Sequence, residues 1–246
     1  MEIITDKEDL LPVRAGEAIS DVLGQYTDRP ILLLFSGGSA LSVIEHIDVQ
    51  QITKRVTLGV LDERFNAPPD ESNFAQLEAT DLYQAALARG AGAVDPRNIE
   101  GEGLDEAAAW VETTIRAWYE NTGGVTIITQ GIGSDGHTAG ILPYPDEPGR
   151  FADVFVSTNR WVVGYTKPGA EFPERITVTV PFLRSVVTSS VVYVAGAAKY
   201  DVARRALTED TETLAALPAG VIREMNDVLV VTDQELGVGN GTTVAG

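Results

Sequence analysis

Short apolar runs alternate along this chain with segments whose apolar residues recur at helical spacing. The clearest run is Ile31–Phe35, with the sequence ILLLF, which leads directly into Ser36-Gly37-Gly38-Ser39 and then into a helical pattern. A run that is apolar at every position is typical of a strand buried on both faces, as in a parallel sheet covered by helices. Similar runs begin at Val56, Val125, Val191 and Asp227. The alternation predicts an α/β fold that is doubly wound, with a mostly parallel sheet and helices on both faces.

The spacing also predicts the other elements. Helices are expected over 8–25, 72–89, 104–120 and 199–207. Strand candidates lie at 154–156, 161–165 and 176–180. The chain has 246 residues without a linker, a repeat or a low-complexity tract, so we expect residues 1–246 to form a single α/β domain.

Composition restricts the ligands that the chain can bind. Its 36 acidic and 18 basic residues give a formal net charge of −18, which repels nucleic acids and anionic lipids. An anionic ligand would therefore require the few cations to be concentrated at its site, together with backbone amides. The chain has no cysteine, which excludes thiolate chemistry. No apolar run approaches the ~20 residues that span a bilayer and the N-terminus is acidic, so we expect a cytoplasmic protein without membrane partners.

Four polar segments follow predicted strands. They are Ser36-Gly37-Gly38-Ser39, Asp62-Glu63-Arg64, the turn from Gly131 to Gly140, and the segment from Gly196 to Lys199. The carboxyl ends of parallel strands lie at one edge of a sheet, where such folds bind ligands, so we expect one crevice to contain all four segments. Its amides, arginine, lysine and Asp/His pair would suit an anionic ligand.

The turn from Gly131 to Gly140 contains the strongest catalytic candidate. His137 lies two residues after Asp135 in a glycine-rich loop, where a packed core position is not expected. Proton transfer is the typical use of a histidine beside a carboxylate. The other histidine, His46, lies within a predicted helix next to Glu45 and is expected at the surface.

Other site chemistries have less support from the sequence. With no cysteine and one plausible histidine, a metal site is not expected. The glycine loop lacks both the Walker lysine and the G-x-G-x-x-G pattern, so nucleotide binding is not supported. A triad that uses Ser134 or Ser36 stays conceivable, but no G-x-S-x-G elbow is present, and attack by water with His137 as the base is simpler.

Motifs along nearly the whole chain resemble those of one enzyme family. Residues 131–143, GIGSDGHTAGILP, resemble the G-x-G-x-D-G-H-T-A-S-L-F-P signature of 6-phosphogluconolactonases. Asp62-Glu63-Arg64 and Ser72-Asn73 resemble that family's D-E-R and S-N motifs. Lys167-Pro168, RITVTVP at 175–181 and GAAK at 196–199 resemble its remaining K-P, R-I-T-L-T and G-x-x-K motifs. The chain is therefore identified as a member of the glucosamine-6-phosphate isomerase/6-phosphogluconolactonase family.

The resemblance implies a Rossmann-like, sugar-phosphate isomerase-like domain and a specific reaction. That reaction is hydrolysis of 6-phospho-D-glucono-1,5-lactone to 6-phosphogluconate in the oxidative pentose phosphate pathway, without a metal or a cofactor. His137 would deprotonate water, and Asp135 would orient His137. Arg64 or nearby amides would stabilise the oxyanion. The residues implied to bind the substrate and its phosphate are Ser36, Gly37, Gly38, Ser39, Asp62, Lys167, Arg175 and Lys199.

Two alternatives stay open. The related glucosamine-6-phosphate deaminases have D-E-Y and G-H-I-A-F-N-E, where this chain has Arg64, Thr138 and Leu142 in place of the tyrosine, the isoleucine and the glutamate. These differences favour the lactonase. A non-catalytic sugar-phosphate binder is the second alternative, because Ala40-Leu41 replace the family's Thr-Pro after the glycine loop. In each case the expected partner is a small sugar phosphate, and the chain could be a monomer or a dimer.

Overall fold

A parallel sheet forms the centre of the fold. The computed structural model describes residues 1–97, 103–209 and 211–237, together with the backbone of 242–243. Its strands are β1 (Glu2–Thr5), β2 (Ile31–Phe35), β3 (Val56–Val60), β4 (Asp62–Arg64), β5 (Gly92–Ala93), β6 (Val125–Gly131), β7 (Val162–Thr166), β8 (Glu174–Val178), β9 (Val187–Val194), β10 (Asp227–Thr232) and β11 (Thr242–Thr243). The large sheet has the order β11-β1-β10-β9-β6-β2-β3-β5, and all its neighbouring strands are parallel. The predicted parallel sheet is confirmed.

Helices connect these strands. The α-helices are α1 (Leu11–Gln25), α2 (Asn73–Glu78), α3 (Asp81–Ala88), α4 (Leu104–Thr122), α5 (Pro148–Phe151), α6 (Val180–Ser185) and α7 (Tyr200–Thr208). The 3₁₀ helices are Glu8–Leu10, Gly38–His46, Val49–Gln51, Ala197–Lys199 and Pro218–Glu224. The helix predicted over 72–89 is divided, because Thr80 starts α3 by accepting a hydrogen bond from the Tyr83 amide (3.2 Å). Within the described ranges, no helix has both the length and the apolar character that crossing a bilayer requires.

The side chains of β2 show how helices cover both faces of the sheet. Ile31, Leu33 and Phe35 pack into one core with residues of α1. Leu32 and Leu34 point the other way and pack with residues of α4. Because successive side chains of a strand alternate between faces, a strand that is apolar throughout contributes to both cores.

The strand order reverses between β2 and β6. From β2 the chain continues to β3 and β5 on one side, and from β6 it continues to β9 and β10 on the other. In open α/β sheets, the carboxyl ends of the strands at such a reversal form a crevice for ligands. The loop that begins with Ser36 follows β2, and the turn that contains His137 follows β6, so both predicted segments lie at this crevice.

A small antiparallel sheet, in the order β4-β8-β7, adds a second layer beside the crevice. Asp62-Glu63-Arg64, expected at the end of the preceding strand, form the separate strand β4. The strand predicted over 176–180 is β8, which begins and ends two residues earlier. Arg64 pairs with Arg175 across β4 and β8. Side chains of such a pair share one face of the sheet, so this register brings the two arginines together.

The strand predicted at 154–156 is wrong. Ala152–Val156 form a π-helical turn that continues directly from α5. The four-residue spacing of Phe151 and Phe155 places both rings on one side, where their centroids lie 5.2 Å apart. Phe155 also packs edge-on against Tyr165 at 4.9 Å. This aromatic packing outweighs the β propensity of the two valines.

Candidate functional site

A cleft of about 320 Å³ lies at the carboxyl ends of β9, β6, β2 and β3. The predicted site residues that line it are Ser36, Gly37, Gly38, Ser39, Asp62, Arg64, His137, Arg175 and Lys199. The other two, Asp135 and Lys167, line an adjoining cleft of about 390 Å³. We call these the principal cleft and the adjoining cleft. His137 and Arg175 line both, so the predicted residues come together around two adjacent spaces.

Glycines allow the turn after β6 to close around His137. The Gly133 amide donates to the His137 carbonyl (2.9 Å), and the Gly136 amide donates to the Gly133 carbonyl (2.9 Å). Gly136 has a φ of +88°, in the region that favours glycine. A Cβ atom on Gly133 would lie 2.2 Å from Nδ1 of His137. The imidazole therefore packs directly against a backbone position that has no room for a side chain.

Asp135 holds the imidazole of His137. Its Oδ1 lies 2.5 Å from Nδ1 of the ring and also accepts a hydrogen bond from the His137 amide (3.1 Å). Burial opposes ionisation of Asp135, but its hydrogen bonds and charge interaction with His137 prevail and lower its pKa to about 2. A carboxylate only accepts hydrogen bonds, so Nδ1 carries the proton and Nε2 is the nitrogen that can receive another. The pair has the chemistry of an oriented general base.

The small antiparallel sheet holds the residues that follow His137. The Tyr165 hydroxyl donates to the Gly140 carbonyl (2.6 Å), and the Thr177 hydroxyl donates to the Ala139 carbonyl. Ala139 has a φ of +49°, a left-handed conformation that is unfavourable for a residue with a Cβ atom. These two hydrogen bonds stabilise the conformation, and β7 and β8 thereby fix the shape of the turn.

Asp62 and Arg175 form a largely buried ion pair in the principal cleft. Oδ2 of Asp62 and Nη1 of Arg175 are 3.5 Å apart, and the side chains are 7% and 14% exposed. Burial raises the pKa of Asp62, while the charges of Arg175, His137 and Arg64 oppose this effect. Nε of Arg175 also donates to the Phe172 carbonyl (3.2 Å). Arg175 is thus fixed in position and partly neutralised.

Glu71 and Phe172 hold Arg64. Its Nη1 donates to Oε2 (2.7 Å) and to the carbonyl (3.0 Å) of Glu71, and its guanidinium lies 4.4 Å from the centroid of the Phe172 ring. Nε of Arg64 is buried and has no hydrogen-bond partner within the part of the chain that the structure describes. Buried polar groups are normally paired, so this N–H is a candidate donor to a ligand.

Lys199 meets the loop after β2. Its Nζ lies 3.5 Å from Oγ of Ser39. Burial lowers the pKa of Lys199, and no carboxylate of the described residues forms an ion pair with it. In a protein with a net charge of −18, an unpaired lysine beside glycine amides is suited to an anion.

Lys167 is engaged in contacts with the protein. Its Nζ donates to the Pro143 carbonyl and lies 4.4 Å from the centroid of the Tyr144 ring. Burial lowers the pKa of its ammonium group. Among the predicted cations, Lys167 alone lines only the adjoining cleft.

Glu63 supports the site and had no role in the predicted set. Its buried carboxylate accepts hydrogen bonds from the Arg64 amide (2.8 Å), the Ser72 hydroxyl (2.9 Å), the Asn73 amide (2.9 Å) and the Phe74 amide (2.8 Å). It therefore joins β4 to the first turn of α2. The position of Glu63 inside the D-E-R motif was the sequence feature that could have indicated this role.

Glu171 and Phe172 also line the principal cleft without having been predicted. They lie in the segment between β7 and β8, where no periodicity or motif distinguishes them in the sequence. The contacts of Phe172 with Arg64 and Arg175 form only when the folded chain brings β4 and β8 together.

A larger groove of about 640 Å³ lies between the Gly38–His46 helix and α2–α3. Its lining contains the acids Glu45 and Asp81 but no lysine, arginine or histidine. None of the predicted site residues lines it, so charge and chemistry favour the principal cleft in spite of its smaller volume. Among the described residues, no cluster of three or more histidine, aspartate or glutamate side chains has the arrangement of a metal site.

Solved structures with the same fold include several 6-phosphogluconolactonases. The Trypanosoma brucei protein is 18% identical with a TM-score of 0.74, and the match covers 96% of this chain and 97% of that one. The Leishmania guyanensis protein is 22% identical with a TM-score of 0.70, covering 97% and 98%. The Plasmodium vivax protein is 14% identical with a TM-score of 0.73, covering 95% and 91%. These similarities establish the fold.

The sequence itself identifies the family. No curated protein matches it. The family described as glucosamine-6-phosphate isomerases/6-phosphogluconolactonase matches residues 6–231, which include every predicted site residue. This chain belongs to the glucosamine-6-phosphate isomerase/6-phosphogluconolactonase family.

Proposed function

We propose that this protein hydrolyses 6-phospho-D-glucono-1,5-lactone to 6-phosphogluconate, a step of the oxidative pentose phosphate pathway. The observation that carries the proposal is the Asp135–His137 pair, joined at 2.5 Å, where His137 borders the cleft that also contains Arg64, Arg175 and Lys199. A base oriented beside cations suits attack on the ester of a phosphorylated substrate. The fold that the chain shares with proteins named 6-phosphogluconolactonase supports the same reaction.

His137 starts the reaction. Its Nε2 removes a proton from water while the water oxygen forms a bond to C1 of the lactone. The carbonyl electrons move to oxygen and form a tetrahedral oxyanion, to which the Nε–H of Arg64 and nearby amides donate. The carboxylate of Asp135 stabilises the imidazolium that results.

Collapse of the oxyanion completes hydrolysis. The bond between C1 and the ring oxygen breaks, and the leaving oxygen takes the proton that His137 holds. The new carboxylic acid releases its proton to solvent. The reaction consumes one water and involves no oxidation or reduction, so it requires no redox cofactor.

The phosphate would bind at the other end of the principal cleft. The amides of Ser36, Gly37, Gly38 and Ser39 and the ammonium of Lys199 offer donors there. Arg175 adds a second cation whose position Asp62 holds. Lys167 would act from the adjoining cleft, close to the reacting end.

Leu142 favours hydrolysis over deamination. It lines the adjoining cleft together with His137, and it occupies the motif position at which the deaminases have glutamate. An alkyl side chain there cannot transfer a proton. This chain therefore lacks the glutamate that the deaminase motif has at this position.

The test is lactone turnover. We expect the wild-type protein to accelerate acid release from freshly generated 6-phosphogluconolactone, and His137→Ala to lower kcat by about 10²- to 10⁴-fold. His46→Ala is the matched control, because His46 is exposed and lies outside both clefts. Ammonia release from glucosamine 6-phosphate is measured in parallel. No acceleration by the wild type, or full activity in His137→Ala, would reject the proposal. Binding of 6-phosphogluconate without turnover would favour the non-catalytic alternative.

A further inference from the structure

Glu171 is an acidic residue at the junction of the two clefts. It lines the principal cleft and the adjoining cleft, and His137 and Arg175 are the other residues that line both. The Glu171 residue is exposed and makes no hydrogen bond or ion pair with the described residues. An unpaired acid therefore lines the same two clefts as the proposed base, in a site whose other features favour anions.

The nearby cations do not neutralise this carboxylate. Arg175 is paired with Asp62 at 3.5 Å and donates to the Phe172 carbonyl. Lys167 donates to the Pro143 carbonyl. The net charge of −18 strengthens the negative potential around Glu171 and does not offset it.

The proposed reaction creates charge at this place. Before hydrolysis C1 belongs to a neutral ester, and after hydrolysis it belongs to a carboxylate. With the phosphate on the loop after β2 and C1 at His137, the new carboxylate forms where the two clefts meet. Glu171 borders that junction.

We propose that Glu171 is a specificity-determining residue that weakens binding of the carboxylate product relative to the neutral lactone, and so promotes product release. The inference rests on the proposed function. Two like charges several ångströms apart in a partly solvated cleft repel each other enough to change a binding constant by about three- to tenfold. The phosphate is common to substrate and product, so repulsion of the phosphate cannot discriminate between them.

The test compares two ligands that differ only at C1. These are 6-phosphogluconate and glucitol 6-phosphate, an open-chain analogue with CH₂OH in place of the carboxylate. We expect Glu171→Gln to lower the Kd of 6-phosphogluconate by about three- to tenfold and that of glucitol 6-phosphate by less than about twofold. In 1 M KCl the difference should shrink, because salt screens charge repulsion.

Glu174→Gln is the matched control. Glu174 is exposed, lines neither cleft and carries the same charge three residues away, so its removal should leave both Kd values unchanged. In the lactonase assay, Glu171→Gln should show stronger inhibition by 6-phosphogluconate with a KM for lactone within about twofold of the wild type.

The outcomes separate the two proposals. Equal tightening for both ligands, or no tightening for 6-phosphogluconate, would overturn the role of Glu171. Failure of the wild-type protein to turn over the lactone would instead reject the proposed function. Turnover with an unchanged ratio of the two Kd values would reject only the role of Glu171.

Discussion

The imidazole of His137 lies directly against the backbone of Gly133. A Cβ atom at this position would lie 2.2 Å from both Cε1 and Nδ1 of the ring, so Gly133→Ala must displace the imidazole or the turn. We expect kcat to fall about 100-fold, because a displacement of about 1 Å is enough to misalign proton transfer. Gly149→Ala is the control, since a Cβ atom there would meet nothing within 4 Å. Wild-type kcat in Gly133→Ala would show that the ring position does not determine activity.

Asp135 should affect activity through the charge of its carboxylate. In Asp135→Asn the amide can occupy the same space, but it stabilises the protonated imidazole of His137 less than a carboxylate does. We expect kcat to fall about 10- to 100-fold and the acidic limb of the pH–rate profile to move to lower pH. An unchanged profile with a reduced kcat would mean that Asp135 acts on position alone.

Asp135 also links pH to stability. Its pKa is about 2 in the folded protein against an ordinary value of 3.8, so its ionised form stabilises the fold. This contribution is complete above pH 3.8 and disappears as the pH falls through 2. Asp135 is therefore ionised throughout the neutral range in which the assays are made.

At the scale of elements, β4 and the first turn of α2 are joined by one buried carboxylate. Glu63 accepts hydrogen bonds from donors on both elements. Arg64 follows it in β4 and pairs with Arg175 of β8. A change at Glu63 should therefore affect stability and the position of Arg64 together.

We expect Glu63→Gln to lower the free energy of unfolding by about 2–3 kcal/mol, because the amide NH₂ cannot accept from the donors that now face Oε2. Ser72→Ala should lower the free energy of unfolding by about 1 kcal/mol. It removes both the hydrogen bond that Ser72 accepts from the Ala75 amide (3.1 Å) and the one that it donates to Glu63. Urea unfolding measures both values. Equal losses in the two variants would contradict a central role for the carboxylate.

Five strands of the large sheet, β2, β3, β6, β9 and β10, could be predicted because their sequences leave few alternatives. Ile31–Phe35 is apolar at every position, which requires burial on both faces. The loops that follow such strands must then share one edge of the sheet, and this placed Ser36, His137 and Lys199 in one crevice. The location of the principal cleft therefore followed from local patterns and one topological rule.

Long-range contacts could not be predicted in the same way. The valines at 154 and 156 suggested a strand, but the partners of Phe155 are brought together only by the folded chain. The motif identified Lys167 as a phosphate ligand, whereas its contact with the Pro143 carbonyl depends on the packing of two loops. For the same reason, the sequence did not distinguish Glu171 from the other exposed acids.

At the scale of the whole molecule, the excess of acidic residues contrasts with the group of cations in the principal cleft. The chain has twice as many acidic as basic residues, 36 against 18, yet Arg64, Arg175 and Lys199 line one cleft. An anionic substrate is repelled by the protein as a whole and attracted locally. The repulsion also acts within the protein itself, because a compact state brings like charges closer together than an unfolded chain does.

Salt should therefore stabilise the fold. We expect the melting temperature at pH 7.5 to rise by several degrees between 0.05 and 1 M KCl, because screening weakens the excess repulsion more than it weakens the fewer surface ion pairs. The increase should be smaller at pH 5, nearer the isoelectric point of about 4.4, where fewer uncompensated charges remain. Scanning calorimetry at both pH values measures the difference. If the melting temperature stays constant with KCl, or rises equally at the two pH values, repulsion between the acidic side chains does not limit the stability of this protein.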